Sequence, residues 1–340
     1  MKHKILIIKF FLISLLFIQG CSKDNSNIII EPPTGIVDTD LVKLEDAIKH
    51  PNTEFVNLVN KVRGSVGTIG PASKVIWSKK NDYSLGLYVS ANHVYGISTW
   101  STRAESFINI LNENNGIFLR SQIPPKNGNI SLGNELIADF GLYHPEIPAS
   151  ATNATILPAN DFYIGVLDNQ RAIDNGLGIY PNNLQTNLPL QMYDPNNRTK
   201  SIQTWANVVE GETVLAIGYP QDKINYPNGA VSSGKVFTDT EAQSVIAKLK
   251  IIGDEEGNID YNSNVEFIVK AKALPGMSGG GVFNSEGQLL GISVRATTLN
   301  NEPLLRVVRI TYVRDKLLTF YNKLSTTDKN KLRPFISGEL

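Results

Sequence analysis

From Arg63 to about Val313 the chain consists of short apolar runs split by Gly, Asn, Asp and Pro, with no helix-length periodic stretch between them. The runs include Val75-Ile76-Trp77, Leu85 to Val89, Ile117-Phe118-Leu119, Phe162 to Leu167, Val214 to Ile217, Phe267-Ile268-Val269 and Leu289 to Val294. Runs this short and this closely spaced are long enough for strands and too short for helices, and their turn-rich separators favour antiparallel pairing. The spacing therefore predicts a mostly β protein, a sandwich or barrels. Helices are expected only at the two ends: at Leu41, Leu44 and Ala47-Ile48, then Phe55 to Val59, and finally over Val313 to Leu324. No repeat or heptad pattern is present.

Composition narrows the chemistry. Of the 340 residues 41% are hydrophobic and 19% charged, which suits an ordinary packed protein. The 32 basic and 32 acidic residues balance, so there is no electrostatic case for nucleic-acid binding. One cysteine, Cys21, excludes an intramolecular disulfide and every multi-cysteine zinc site, and neither a metal nor a cofactor is implied. There are only four histidines, so a catalytic base has few candidates.

Residues 1–20 read MKHKILIIKFFLISLLFIQG. Lys2 and Lys4 precede an apolar run broken by Lys9 and Ser14, too short and interrupted for a spanning helix but laid out like a secretory leader. Cys21 follows at once, and the segment resembles a bacterial lipoprotein signal, in which that cysteine is lipidated and becomes the new N-terminus. Gln19 departs from the small residues usual in that box. Cleavage removes three of the 32 basic residues and no acidic ones, so the mature chain is mildly acidic and its membrane attachment rests on acyl chains. Residues 21–40, rich in polar and turn residues around Pro32, Pro33 and Gly35, read as a flexible tether.

The most informative stretch is Pro275-Gly276-Met277-Ser278-Gly279-Gly280-Gly281. A serine among glycines allows a sharp turn and a close approach of substrate to main-chain N–H groups. The N–H groups of Gly276 and Ser278 are placed to converge on an oxyanion. The same string fits the nucleophile elbow of α/β-hydrolases, but there the histidine follows the serine, and here the last histidine is His144. That order excludes an α/β-hydrolase. A serine nucleophile at neutral pH needs a base. His3 lies in the leader, His50 at a helix end and His144 at a loop start, which leaves His93 at the end of the apolar strand that begins with the run Leu85 to Val89.

Several segments together resemble the trypsin-like (chymotrypsin-fold) serine peptidases, in particular the bacterial HtrA-type branch. Val89-Ser90-Ala91-Asn92-His93-Val94 is similar to that family's histidine motif. Gly211 to Pro220 and Val231 to Val236 resemble strands of its second barrel. Gly276 to Val282 followed by Gly287 to Ile292 resembles its serine loop and hairpin, and Tyr312 to Leu317 the entry to its closing helix. The resemblance runs from about Val66 to Leu324.

It implies two six-stranded antiparallel β-barrels with terminal helices, and a Ser-His-Asp triad in the cleft between them. Ser278 is then the nucleophile, His93 the base, and Gly276 and Ser278 the oxyanion donors. The acid is Asp161, in Asn160-Asp161-Phe162, with Asp139 in Ala138-Asp139-Phe140 as its rival. Lys272, six residues before the serine, would suit an acidic substrate side chain, and Arg295 would add to it. Met277 replaces the aspartate that precedes the serine in trypsin-type zymogens. The residues after Leu324 are too few for a PDZ domain.

The organisation expected is a leader over 1–20, a tether over 21–40, a helical segment over 41–64, the peptidase domain over 65–325 and a tail over 326–340. The function expected is a lipid-anchored serine endopeptidase acting on protein or peptide substrates in the cell envelope, on the outer membrane of a Gram-negative bacterium, or at the cell surface. The alternatives are a catalytically silent surface-anchored binding protein on the same fold, or an esterase using the same triad.

Overall fold

The computed structural model describes residues 39–69, 71–79, 85–95, 139–148, 150–152, 154–168 and 205–336. The chain divides into Met1–Pro32 and Pro33–Leu340, and the described residues all belong to the second unit. Cys21 and the run Ile117–Leu119 lie outside them.

Two antiparallel sheets make up the body. Sheet B contains β2 (Val66–Ile69), β3 (Ala72–Lys79), β4 (Leu85–Ser90), β5 (Asp139–Tyr143) and β6 (Tyr163–Asp168), in the order β2-β3-β4-β6-β5. Sheet A contains β1 (Thr39–Lys43), β7 (Thr213–Gly218), β8 (Ala230–Lys235), β9 (Glu266–Val269), β10 (Gly281–Phe283), β11 (Leu289–Leu299) and β12 (Glu302–Arg309). Its order is β1-β8-β7-β10-β11-β12-β9. The all-β expectation holds: among the described residues the two antiparallel sheets have seven and five strands.

The first strand of sheet A is β1, which falls partly inside the expected tether. Only Leu41 and Val42 of its five residues are apolar, and it is paired along the β8 edge: Thr39 pairs with Ser233 and Lys43 with Ala230. The other six strands turn back on themselves. Val236, just past β8, forms a bridge with Val269 of β9, flanked by hydrogen bonds from Lys270 N to Lys235 O and Phe237 N to Ile268 O, both 2.9 Å.

Burial explains why β7 is apolar along its whole length. Alternate residues face opposite sides of a strand. Val214 and Ala216 enter a cluster inside sheet A with Phe267, Val282, Leu290 and Val307. Leu215 and Ile217 enter a larger cluster shared with Val75, Leu87 and Val89 of sheet B. With both faces covered, no polar alternation is needed.

The helices seal that shared cluster. α1 (Leu44–Ala47) and α2 (Thr53–Val62) contribute Leu44, Phe55, Leu58 and Val62. α2 starts at Asn52, whose side-chain oxygen accepts from the N–H groups of Glu54 (2.9 Å) and Phe55 (3.0 Å). Two further helices correct the sequence reading. α3 (Asp239–Ile251) interrupts the β region, and α5 (Thr326–Ile336) follows α4 (Ile310–Lys323) where a tail was expected.

α3 has a capping box between Thr238 and Glu241, and sets Ala242, Ile246 and Leu249 against Ile268 and Leu304. α5 is preceded by Ser325, which accepts from Asp328 N at 3.1 Å, and it buries Leu332 in the shared cluster. No helix among the described residues is long and apolar enough to cross a membrane.

Candidate active site

Strand register brings the histidine and an aspartate together. β4 pairs with β6 so that Ser90 faces Tyr163. His93 lies three residues beyond Ser90 in the short turn Asn92–Tyr95, and Asp161 lies two residues before Tyr163, after the turn Pro158–Asn160. Both therefore sit at the same end of the sheet. Asn92, fully buried, ties the two turns together by donating its side-chain N–H to Asn160 O at 3.0 Å.

The pair is well made. Asp161 is fully buried, and its carboxylate accepts from His93 N (2.9 Å) and lies 2.8 and 3.0 Å from His93 Nδ1. A carboxylate only accepts, so Nδ1 carries the proton and Nε2 is left as the basic nitrogen. Burial alone pushes the imidazolium down, but the charge and hydrogen bond of Asp161 together outweigh it. Arg295 opposes and Glu256 assists, and His93 ends above its ordinary value of 6.5. Of the two candidate acids, Asp161 is the one on His93; Asp139 begins β5, its backbone paired with Leu167.

Ser278 comes from sheet A, in the turn between β9 and β10. Each peptide plane of this loop is held by its carbonyl. Pro275 O accepts from Gln221 N at 2.7 Å and Met277 O from Gly280 N at 2.8 Å. In a trans peptide the N–H points opposite to the C=O. The N–H groups of Gly276 and Ser278, which share those planes, are thus turned away from their anchors, and among the described residues neither has an acceptor.

Two glycines make the turn possible. Gly276 has φ 98°, and a Cβ there would lie 2.5 Å from Gln221 N. Gly279 has φ 82°, and a Cβ there would lie 2.4 Å from Ser90 Oγ and 2.9 Å from Ala91 N. Only glycine fits either place. The second contact also shows how closely the serine loop lies against the strand end that leads to His93.

The sequence reading expects His93 to bond both an aspartate and Ser278. The Asp161 bond is made; among the described residues no hydrogen bond joins His93 to Ser278.

Beside Ser278 is a cavity of about 200 Å³ whose walls include Ala273, Leu274, Pro275, Val294 and Leu305. The two candidate specificity residues separate here. Lys272 is not among the lining residues; it is half-exposed, with Nζ 4.0 Å from Asp40. Arg295 does line the cavity, but its Nε donates to Glu256 Oε1 at 2.6 Å and its Nη2 to Ala154 O at 3.0 Å. Its charge is compensated.

Behind it, Glu256 also meets Arg306 (3.4 Å), and Arg306 holds Glu266 through two bonds of 2.8 and 2.6 Å. This buried chain of four charges was not anticipated from the sequence. No group of three or more His, Cys, Asp and Glu side chains among the described residues is placed to hold a metal ion.

Residues 190–292 match the family model described as "Trypsin-like peptidase domain". Over that stretch the chain is similar to a family of trypsin-like peptidases. The match includes Gly276 and Ser278 and begins after Asp161, so it does not extend to His93 or Asp161.

Solved structures similar to the chain include an HtrA-type protease, AlgW, with a decapeptide, at 14% identity and a TM-score of 0.34, covering 72% of this chain. The chain spans about half of that protein, 49%. Another is Rv3671c from M. tuberculosis H37Rv, an inactive-form serine-to-alanine mutant, at 14% identity and a TM-score of 0.37, covering 82% of this chain and 97% of that one. No curated protein matches the chain in sequence.

Proposed function

We propose that the protein is a serine endopeptidase using Ser278, His93 and Asp161. The observation that carries this reading is the buried Asp161 carboxylate on His93 Nδ1, together with a serine loop two of whose N–H groups have no acceptor among the described residues. His93 Nε2 takes the Ser278 proton as Oγ attacks the scissile carbonyl carbon. The resulting oxyanion is held by the N–H groups of Gly276 and Ser278. Collapse breaks the C–N bond, His93 returns the proton to the leaving amine, and water then releases the acyl group from Oγ by the same route. Asp161 stays ionised and stabilises the imidazolium. Hydrogen bonds of this kind often tighten only when substrate binds, so an unmade Ser278–His93 bond is compatible with catalysis.

That same unmade bond favours a second reading, a catalytically silent binding protein on this fold. The cavity beside Ser278 supports an uncharged aliphatic side chain before the cleaved bond: Leu274, Pro275, Val294 and Leu305 are in its lining, and Glu256 already neutralises Arg295, the one charged lining residue. We further propose lipidation of Cys21, anchoring the protein in the envelope of a Gram-negative bacterium, on the outer membrane. Two or more acyl chains would make that anchoring stable. Palmitate incorporation that disappears in Cys21→Ser checks the lipid.

The function is checked with a peptide library varied at the residue before the cleaved bond. Cleavage after Val, Ala or Leu that is lost in Ser278→Ala supports the enzyme. A folded protein that binds such peptides without cutting them supports the second reading. Preferential cleavage after Asp or Glu would overturn the aliphatic assignment.

A further inference from the structure

Ser73, on β3, is absent from the sequence-derived set of site residues, yet it makes more contacts with the serine loop than His93 does. It is fully buried. Its hydroxyl donates to Gly276 O at 2.8 Å and accepts from Tyr219 N at 2.8 Å. Its N–H donates to Ser278 O at 3.0 Å, and its carbonyl accepts from Ser90 Oγ at 2.7 Å. Tyr219, Gly276 and Ser278 belong to the sheet A side, whereas Ser73 and Ser90 belong to sheet B. Three hydrogen bonds through one residue thus join the side carrying the serine to the side carrying the histidine, and the fourth ties that residue to Ser90 on the histidine side.

We infer that Ser73 is a positioning residue for the oxyanion site, an assignment that rests on the peptidase reading above. Gly276 is the one residue of the loop whose backbone must both donate to an oxyanion and hold φ 98°. Its N–H is aimed by the carbonyl before it, through Gln221. Its own carbonyl is held by Ser73 Oγ, with Met277 N donating to Leu274 O at 3.0 Å across the same plane. Without the hydroxyl, Gly276 O loses its donor and Tyr219 N its acceptor, both in a buried place where unpaired polar groups are costly. The relief available is rotation of the peptide planes around Gly276, which glycine permits, and that rotation turns its N–H away from the oxyanion. The Ser73 hydroxyl has one proton to give and accepts through a lone pair, so it satisfies both neighbours at once.

A residue that acts this way affects the transition state more than the ground state. Loss of a direct oxyanion donor costs roughly 10²- to 10³-fold in kcat, and an indirect support should cost roughly ten- to a hundredfold. The test uses the full chain in detergent, comparing wild type, Ser73→Ala and Ser73→Cys with an aliphatic peptide substrate and a peptide boronate of the same sequence. The expected result is a kcat lowered roughly ten- to a hundredfold in Ser73→Ala with KM nearly unchanged, boronate affinity falling in step, and Ser73→Cys in between. If Ser73→Ala does not fold, Ser73→Cys, of similar size with a weaker donor, carries the same comparison. A folded variant with wild-type kcat and boronate affinity, or one in which only KM changes, overturns the positioning role and leaves the peptidase reading intact. A wild type that neither cleaves nor binds the boronate overturns both.

Discussion

The two sheets hold their parts of the site by different means. On sheet B, one buried carboxylate orients one imidazole, and the strand register of β4 against β6 brings them together. On sheet A, the reactive loop is held through its main chain, carbonyl by carbonyl, with glycines where no side chain fits. The first arrangement depends on ionisation and pH; the second depends on backbone shape and is nearly indifferent to both. Substitutions on the two sides should therefore fail in different ways, and the predictions below are ordered from the largest expected effect.

Removing the proposed nucleophile or its proposed base is the most severe change: Ser278→Ala and His93→Ala should each lower kcat about 10⁴-fold or more while both proteins stay folded. Asp161→Asn should cost about 10⁴-fold in kcat, because an amide stabilises the wrong tautomer of His93. Asp139→Asn serves as its control. Equal losses in the two aspartate variants would break the assignment of the acid.

A third change separates stability from chemistry. Glu266→Ala leaves Arg306, 3% exposed, without its bidentate partner, and should destabilise the fold by about 3–5 kcal/mol. Thermal unfolding checks this: a midpoint within a degree of wild type would contradict it.

The pH dependence sharpens the contrast. His93 must be neutral to accept the Ser278 proton, and its pKa is raised above 6.5. Activity should thus rise through an inflection above that value, and the inflection should move down in Asp161→Asn. Because the folded pKa is the raised one, the His93–Asp161 pair contributes most to stability below about pH 6.5 and loses that contribution as pH rises through the folded value. The smallest effect belongs to Lys272→Ala, which should leave the preferred residue before the cleaved bond unchanged, since Lys272 is outside the cavity lining.

How much of this was legible in the sequence follows the same division. The serine loop is a local feature, and its glycines announce it directly. β7 and β11 announce themselves as apolar runs because both faces are buried over much of their length. Asp161 was preferred to Asp139 on the resemblance of Asn160-Asp161-Phe162 to a strand start, but its contact with His93 depends on the pairing of β4 with β6 across a long stretch of chain and was not legible. β1 was missed because it is short, its Leu41 fits the spacing of the helix that follows, and its strand form comes from the β8 edge.

α3 and α5 were missed although their signals were present: Thr238-Asp239-Thr240-Glu241 is a capping box, and Ser325 stands three residues before Asp328. Their apolar faces are sparse, so periodicity alone did not reveal them. Ser73 and the Glu266–Arg306 pair gave no signal, because a polar residue in a short run looks the same whether it faces water or a buried partner.

The central claim, that Ser278 is an activated nucleophile, is tested most directly by fluorophosphonate labelling of the full chain, followed by mass spectrometry of the modified peptide. The account predicts one adduct, on Ser278, absent in Ser278→Ala and strongly reduced in His93→Ala. A folded wild type that takes no label, or that labels equally with and without His93, would contradict it.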